Sequence, residues 1–317
     1  MATGEFDRIR RFAERHARSP REGVVRGIGD DAAVLVPRHG NQLVWTVDDQ
    51  VERVHFERAW LSFEDLGWRA TMAAASDVAA MGGKPWAILS SVAVPKDLPE
   101  ADLFAITEGV ARAAEFLGAT VVGGNLTASD VVHVSTSVLG ETRRALGRDG
   151  ARPGDRVFVA GSLGLAAAFV RGRLAGVSGA ISSATIGAYA RPVARIGDGL
   201  VLAAAATSAI DVSDGLVQDV GHLAEAAGVA IELDASAIDV LVSPELARAA
   251  SALGVPPRDL VLHGGEDYAL VGTGPDVPRG FVAIGRVEKG RGIVLRTAEG
   301  TTPLGPFSGF DHFARRT

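Results

Sequence analysis

The sequence predicts a mixed α/β (α+β) protein built from two domains. Its 317 residues, 47% of them hydrophobic, can bury more than one core. Strand-like and helix-like segments alternate along most of the chain, which is typical of βαβ units with some antiparallel pairing. A charged stretch rich in glycine, residues 146–155, interrupts the alternation. We therefore expect a boundary there, between domains at residues 1–147 and 148–317.

Periodicity and turn residues place the elements of the first half. The expected helices and strands are an amphipathic helix at 5–17, strands at 33–36 and 42–47, a helix from the Ser62/Asp65 capping box to Met81, a strand at 86–94, a helix at 103–117, a strand at 120–122 ending in Gly123-Gly124-Asn125, and a strand at 131–139.

The second half continues with the same alternation. Its expected elements are strands at 156–160, 208–212, 229–233, 268–272, 281–287 and 293–296, and helices at 165–173, 196–206, 216–227 and 244–253. The turn Gly161-Ser162-Leu163-Gly164 precedes one of these helices. Such a turn can hold phosphate, but helix entry turns have this composition in any case, and we favour the structural interpretation.

Composition limits the classes of function. The net charge is -6 and no basic block is present, so we expect neither a nucleic-acid nor a membrane surface. The absence of cysteine excludes disulfides, thiolate metal sites and a thiol nucleophile. No signal-peptide pattern or long apolar run occurs, which favours a cytoplasmic protein acting on small molecules.

Acidic residues beside glycine or small residues recur at the ends of apolar segments. They occur in Gly27–Asp31, Thr46–Asp49, Ser76-Asp77, Asp211–Gly215 and Gly264–Asp267. Any one of them alone reads equally well as an Asp-rich surface turn. Two carboxylates about 4 Å apart repel by roughly 4 kcal/mol at an effective dielectric of 20, so a convergent set requires a cation.

The residue types indicate which cation. Oxygen ligands without cysteine and with few histidines favour Mg²⁺ over zinc, and Mg²⁺ among many carboxylates usually accompanies phosphate. The sequence has no Walker A loop, no Rossmann glycine fingerprint and no His-Glu-x-x-His pair. The nucleotide-binding families with the first two motifs and the zinc metalloproteases with the third are therefore excluded.

Seven motifs, in order along nearly the whole chain, resemble those of thiamine-monophosphate kinase, a family of the aminoimidazole-ribonucleotide-synthetase-like ATP-binding superfamily. They are Gly27-Ile28-Gly29-Asp30-Asp31, Val54-His55-Phe56, Ser76–Gly82, Arg148–Asp155, Asp211–Leu216, Gly264–Tyr268 and Phe310–Phe313. The resemblance implies a two-domain PurM-like fold. Its N-terminal domain would bind ATP and Mg²⁺ and form a homodimer through its sheet, and its C-terminal domain would be α/β.

The resemblance also implies site residues, and it implies no catalytic side chain. Several Mg²⁺ ions would be bound at the positions of Asp30, Thr46, Val47, Asp48, Asp77, Asn125, Asp211 and Asp214. ATP would contact Gly124, Asn125, Arg148 and Ser213, and thiamine monophosphate would contact His55, Glu266 and Phe310. Without the family, His55 reads as a satisfied core histidine and Phe310 as a C-terminal anchor.

Two positions depart from the family pattern. Val47 stands where the family has a second hydroxyl, and Asn125 stands where it has the aspartate of Gly-Gly-Asp. An amide oxygen can ligate Mg²⁺ but carries no charge.

The implied reaction is direct in-line transfer of the ATP γ-phosphoryl group to thiamine monophosphate, giving thiamine diphosphate. One alternative is another ATP-dependent enzyme of the superfamily. Selenophosphate synthetase and the hydrogenase-maturation member use a reactive cysteine or selenocysteine, which this chain lacks. The other alternative is a non-catalytic nucleotide-binding homologue, in which Asn125 marks lost activity.

Overall fold

A computed structural model of the chain describes residues 23–26, 34–35 and 37–304. The chain divides into two compact units. The first comprises residues 1–78 and 83–145, and the second comprises residues 79–82 and 146–317. The boundary expected from the sequence, after residue 147, lies two residues beyond the observed division at Ala145. Each unit is described separately below.

The first unit is a four-stranded sheet with helices on one face. Two short strands, β1 (Val24–Arg26) and β2 (Val34–Leu35), pair with each other. The main elements are β3 (Gln42–Val51), α1 (Phe63–Ala80), β4 (Lys84–Val94), α2 (Glu100–Leu117), β5 (Thr120–Ala128) and β6 (His133–Thr142). The sheet order is β3-β6-β4-β5, with β4 and β5 parallel across α2 and the other pairs antiparallel.

Two glycines bring α1 and α2 into backbone contact. A Cβ on Gly67 would lie 1.9 Å from the Ile106 carbonyl oxygen, and a Cβ on Gly109 would lie 1.9 Å from that of Glu64. At the start of α1 the predicted capping box is confirmed, since the Asp65 N–H donates to Ser62 Oγ at 3.1 Å. The close crossing fixes α1, and with it the side chains near its C-terminal end.

The second unit is a seven-stranded sheet with helices on both faces. Its strands are β7 (Arg156–Ala160), β8 (Ser208–Val212), β9 (Ala230–Asp234), β10 (Ala269–Gly274), β11 (Val282–Glu288), β12 (Gly292–Thr297) and β13 (Gly300–Leu304). Its helices are α3 (Leu165–Ala175), α4 (Ser183–Ala190), α5 (Ile196–Ala205), α6 (Leu216–Ala227), α7 (Ala235–Val240), α8 (Pro244–Leu253) and α9 (Pro257–His263). The order is β13-β12-β9-β11-β7-β10-β8, antiparallel except for β9 with β12.

Alternate residues of the central strands enter two separate cores. Val157 and Val159 pack with α6 and α8 on one face, whereas Phe158 packs with Leu202 of α5 on the other. All five residues of β8 are buried, including Asp211 at 5% exposure. Because both faces of the sheet are covered, the sequences of these strands are almost entirely apolar, and a carboxylate within such a strand is unusual.

Most predicted elements are confirmed with small shifts of boundary, and β1, α4, α7, α9 and β13 were not predicted. One strand was wrong: β5 does not end at the Gly123-Gly124-Asn125 turn but continues through it to Ala128. No helix among the described residues has the length and apolarity needed to cross a membrane. The predicted helix at residues 5–17 lies outside the described residues.

Candidate active site

In the first unit the sheet and α1 bring together two predicted metal ligands, Thr46 and Asp77. Side chains alternate along β3, so Thr46 and Asp48 share the helix-covered face with Val44 and Gln50. The Thr46 hydroxyl donates to Asp77 Oδ2 at 2.6 Å. A hydroxyl and two carboxylates on one face form an oxygen donor set suited to a hard cation.

Asp77 lies in the last turn of α1, where no basic residue is present. The negative end of the helix dipole opposes a carboxylate there. The hydrogen bond from Thr46 offsets part of this cost, and a bound cation would offset more. The position therefore favours cation binding over a purely structural role.

Val47 and Asn125 occupy the other face of the same sheet. Val47 is 63% exposed on the open face. The register of the four strands places one residue from each in a row across the sheet: Asn125, Ser91, Ser135 and Asp49. Because Asp49 is next to Asp48 on β3, this row lies on the face opposite Asp48. At about 4.8 Å per strand, Asp49 and Asn125 lie roughly 14 Å apart, so Asp49 cannot supply its charge to an ion bound by Asn125 of the same unit.

Gly124 explains why β5 continues past the glycine pair. A Cβ there would lie 2.0 Å from the Ser90 carbonyl oxygen on β4. Only glycine allows this approach, so the Gly-Gly pair serves strand pairing here rather than chain reversal.

His55 belongs to the turn that follows β3 and is half-buried. The Val51 N–H donates to His55 Nδ1 at 3.0 Å, and the His55 N–H donates to the Val51 carbonyl at 2.9 Å. Because Nδ1 accepts a hydrogen bond, the neutral ring carries its proton on Nε2. The ring is thus oriented by local backbone rather than packed as an ordinary core histidine.

In the second unit the predicted ligands Asp211, Ser213 and Asp214 lie at the end of β8 and in the following loop. One oxygen of Asp219, in the first turn of α6, accepts the N–H groups of Ser213, Asp214 and Gly215, each at 3.1 Å. Burial, with the nearby carboxylates of Asp211 and Asp214, raises the pKa of Asp219 to about 8. Asp219 therefore fixes the backbone conformation of this acidic loop through its hydrogen bonds.

A second buried carboxylate occupies the start of α3. Asp267 Oδ2 accepts the Gly164 N–H at 2.8 Å, and Asp267 also bonds the Ala166 N–H. Burial raises the pKa of Asp267 well above its usual value. Because this carboxylate fills the helix N-terminus, the Gly161–Gly164 turn has the structural role that we favoured over phosphate binding.

The segment Gly264–Tyr268 is joined to the acidic loop by backbone hydrogen bonds. The Glu266 N–H donates to the Ser213 carbonyl at 2.7 Å, and the Tyr268 N–H donates to the Val212 carbonyl at 2.8 Å. A Cβ on Gly265 would lie 2.5 Å from the Ser213 carbonyl oxygen, so glycine is required there. The predicted ATP residue Ser213 and the predicted acceptor residue Glu266 are thus direct neighbours.

Arg148 is exposed in the loop before β7. The neighbouring Gly147 carbonyl accepts the Ala209 N–H at 3.3 Å, near the start of β8, whereas Ser213 follows the end of that strand. At about 3.3 Å per residue, these two predicted ATP contacts are roughly 13 Å apart along the strand. This backbone separation favours contact with different parts of one nucleotide.

Comparison with known proteins decides the family. The chain is 37% identical over 313 residues to the thiamine-monophosphate kinase of Mycobacterium tuberculosis, covering 97% of this chain and 92% of that one. It belongs to the thiamine-monophosphate kinase family. The family enzyme of Aquifex aeolicus is 39% identical over 275 residues, covering 84% of this chain and 88% of that one.

Two further comparisons concern the N-terminal domain of this thiamine-monophosphate kinase family member and its fold. Residues 29–142 match the model of the AIR synthase related protein, N-terminal domain. The solved structure of AaThiL complexed with AMPPCP and TMP is 36% identical, with a TM-score of 0.80, and covers 99% of both chains. The PurM-like fold expected from the motifs is confirmed.

Part of the family's site falls outside the described residues, namely Asp30 and Phe310 with their motifs. Within the described part of the chain, no three Asp, Glu or His side chains form a ready-made metal cluster. The metal assignments for this family member therefore remain predictions.

Three functional candidates were not predicted for this kinase family member: Asp219, Asp267 and Tyr268. Asp267 and Tyr268 lie inside the motif Gly264–Tyr268, from which only Glu266 was predicted to be a site residue. Asp219 could have been noticed as an acidic residue in the first turn of a helix that directly follows the Asp-rich loop.

Proposed function

We propose that the chain transfers the γ-phosphoryl group of ATP to thiamine monophosphate, giving thiamine diphosphate and ADP. The hydrogen bond between the Glu266 N–H and the Ser213 carbonyl, 2.7 Å long, carries the proposal. It joins the residue assigned to the acceptor directly to the loop assigned to ATP and metal. Donor and acceptor phosphates bound there would meet, as a phosphoryl transfer requires.

The family members support the same substrates. AaThiL has been solved with AMPPCP and TMP, at 36% identity to this chain. AMPPCP is an ATP analogue, and its presence beside TMP is the pairing that an ATP-dependent kinase of thiamine monophosphate requires.

For this reaction the protein mainly has to position the two phosphates and neutralise their negative charge. The attacking oxygen belongs to a phosphate that is already anionic, so no general base or enzyme nucleophile is needed. By their motifs, Glu266 and His55 would orient the acceptor, and Arg148 and Ser213 would hold ATP. The backbone hydrogen bond between Glu266 and Ser213 would help to keep donor and acceptor in line. Transfer then occurs in one displacement.

Each unit offers oxygen donors that would hold Mg²⁺. The hydrogen-bonded pair Thr46 and Asp77, with Asp48 on the same face, fits a hard cation, as do Asp211 and Asp214. Asp30 would belong to this set by its motif. When bound, the ions would neutralise charge on the two polyanions and on the transferring phosphoryl group.

Asn125 offers a direct test of the metal assignment. If Asn125 contributes a neutral ligand, activity persists and Asn125→Asp lowers the magnesium concentration for half-maximal rate. Thr127→Asp, on the same strand and on the same face by alternation, is the matched control and leaves the magnesium titration unchanged. Equal titrations for wild type and Asn125→Asp would remove Asn125 from the metal site.

We also propose a homodimer that forms through the open face of the first unit's sheet. Leu43, Trp45 and Val47 on β3 and Leu89 on β4 are 49%, 73%, 63% and 40% exposed. Register places Val47 and Leu89 in one row across the sheet. An exposed apolar row on a regular sheet suits a second copy, and Trp45→Glu is expected to yield monomers in analytical ultracentrifugation.

Localisation in the cytoplasm is proposed for the same enzyme, since ATP serves as its co-substrate.

The decisive experiment incubates purified protein with ATP, Mg²⁺ and thiamine monophosphate and detects thiamine diphosphate by chromatography. Product that depends on Mg²⁺ supports the function, and thiamine replacing thiamine monophosphate should give none. Calorimetric binding of ATP without product formation would favour the non-catalytic homologue.

A further inference from the structure

The segment Gly264–Tyr268 carries unusual backbone strain. Glu266 has φ +66° and Tyr268 has φ +50°, and among the described residues Arg53 is the only other non-glycine residue with positive φ. The left-handed region disfavours residues with a Cβ, and such strain persists only where the surroundings impose it. Two strained residues flanking Asp267 indicate a segment built for a specific side-chain arrangement.

That arrangement is a short hydrogen bond between two side chains. The Tyr268 hydroxyl donates to Glu266 Oε2 at 2.6 Å. The Tyr268 residue is only 4% exposed, so its ring cannot swing away to release the carboxylate. A hydrogen bond to an ionised carboxylate is among the stronger ones in proteins.

The backbone beneath the pair is fixed at three points. Glu266 and Tyr268 donate their N–H groups to Ser213 and Val212, and Asp267 is held in the N-terminus of α3. The phenol therefore acts on a carboxylate whose main chain is held by hydrogen bonds to its neighbours. What remains for Tyr268 to fix is the orientation of the Glu266 carboxylate itself.

We propose that Tyr268 is a positioning residue for the acceptor: it holds the Glu266 carboxylate in the orientation that binds thiamine monophosphate, and it does not bind ATP. The inference rests on the proposed function, in which Glu266 contacts the acceptor. A carboxylate fixed in advance loses less rotational freedom when the acceptor binds.

Tyr268→Phe tests the proposal by removing only the hydroxyl. Loss of one such hydrogen bond is expected to raise the KM for thiamine monophosphate about tenfold, with kcat and the KM for ATP changed less than about twofold. The sequence has two tyrosines, so Tyr189→Phe is the matched control. Tyr189 is buried in the same unit and stacks on Phe169, and its replacement should leave all three constants unchanged.

A double-mutant cycle separates positioning from general support of the fold. In a Glu266→Ala background, Tyr268→Phe should raise the KM for thiamine monophosphate no further, because the carboxylate it orients is gone. An unchanged acceptor KM in the single variant, an equal rise in the KM for ATP, or full additivity in the cycle would each overturn the proposal.

A spectroscopic measurement remains decisive even if Tyr268→Phe folds poorly. The Tyr189→Phe protein labelled with 3-fluorotyrosine carries its fluorine only at Tyr268. Saturable displacement of its ¹⁹F resonance by thiamine monophosphate supports the proposal, and an unmoved resonance overturns it. If wild type turns over thiamine monophosphate but Tyr268→Phe has no effect, only the positioning role fails; if wild type makes no thiamine diphosphate, the proposed function itself fails.

Discussion

The acidic positions of the two units are held in place by different means. In the first unit, Thr46, Asp48 and Asp77 lie on a strand and a helix, so regular secondary structure sets their positions. In the second unit, Ser213 and Asp214 lie in a loop whose N–H groups bond to the buried Asp219. The first arrangement depends on strand pairing and the second on a buried carboxylate, so the two should fail differently when altered.

The largest effect is expected for the regular positions of the first unit. Asp77→Asn and Asp48→Asn remove a ligand charge while strand and helix remain, so activity should fall by about 100-fold or more with an unchanged circular dichroism spectrum. Asp49→Asn is the control, since Asp49 lies on the opposite face and pairs with His133 at 3.0 Å. Full turnover by either of the first two variants at ordinary magnesium would remove that residue from the metal site.

The loop of the second unit should fail through stability. Asp219→Ala leaves three N–H groups without their acceptor, one of them buried and two partly buried, and urea unfolding should show a loss of about 3 kcal/mol. Asp239→Ala, which breaks the exposed ion pair with Arg258 in the same unit, should cost less than about 1 kcal/mol. If the two variants unfold alike, Asp219 does not support the loop.

The buried carboxylates also predict a pH dependence. Burial raises the pKa of Asp267, and that of Asp219 rises to about 8, so both groups keep protons that the unfolded chain releases. In the absence of divalent cations, the contribution of these two groups to stability is therefore greatest below the usual carboxyl pKa and falls as pH rises toward about 8.

Asp267→Asn isolates this contribution, because the amide stays neutral at every pH. The midpoint of thermal unfolding in EDTA should fall less steeply from about pH 5 to 8 in this variant than in wild type. Parallel curves for the two proteins would show that Asp267 ionises with its usual pKa.

The smallest effect distinguishes the hydroxyls of two threonines in the first unit, Thr136, which is buried, and Thr46, which is partly buried. Thr136 Oγ1 is fully buried with no hydrogen-bond partner among the described residues, whereas Thr46 Oγ1 bonds Asp77. Thr136→Val should leave stability unchanged or raise it by up to about 1 kcal/mol, since it removes an unsatisfied polar group. The same change at Thr46 should lower activity. A matching loss of activity at Thr136 would mean that its hydroxyl serves the site.

Much of the fold could be predicted from sequence pattern, but the residues that hold the site loops in place could not. The strand 208–212 and the helix 216–227 were predicted with their observed bounds, because apolar runs and glycine caps mark them. The helices 183–190, 235–240 and 257–263 were missed, since elements this short have weak periodicity. Asp219 and Asp267 bond to N–H groups of two segments that the sequence analysis marked, the Asp211–Gly215 motif and the Gly161–Gly164 turn. The pairing of each carboxylate with its segment follows from the fold and not from sequence pattern.

Motif spacing predicts which acidic residues bind metal, but not which face of a sheet they occupy. Asn125 and Asp48 looked equivalent as residues at strand ends. The observed register of β5 puts Asn125 in the row of Asp49 instead. Side-chain alternation cannot be counted across a bulged pairing such as that of β4 with β5 until the register is known.

The central claim is that the chain positions two phosphates for direct transfer and never takes the phosphoryl group itself. The stereochemical course tests this most directly, with ATP made chiral at the γ-phosphorus by oxygen isotopes and thiamine monophosphate as acceptor. A single in-line displacement predicts that thiamine diphosphate carries the inverted configuration at its terminal phosphorus. Retention would require two displacements through a phosphorylated enzyme and would contradict the account.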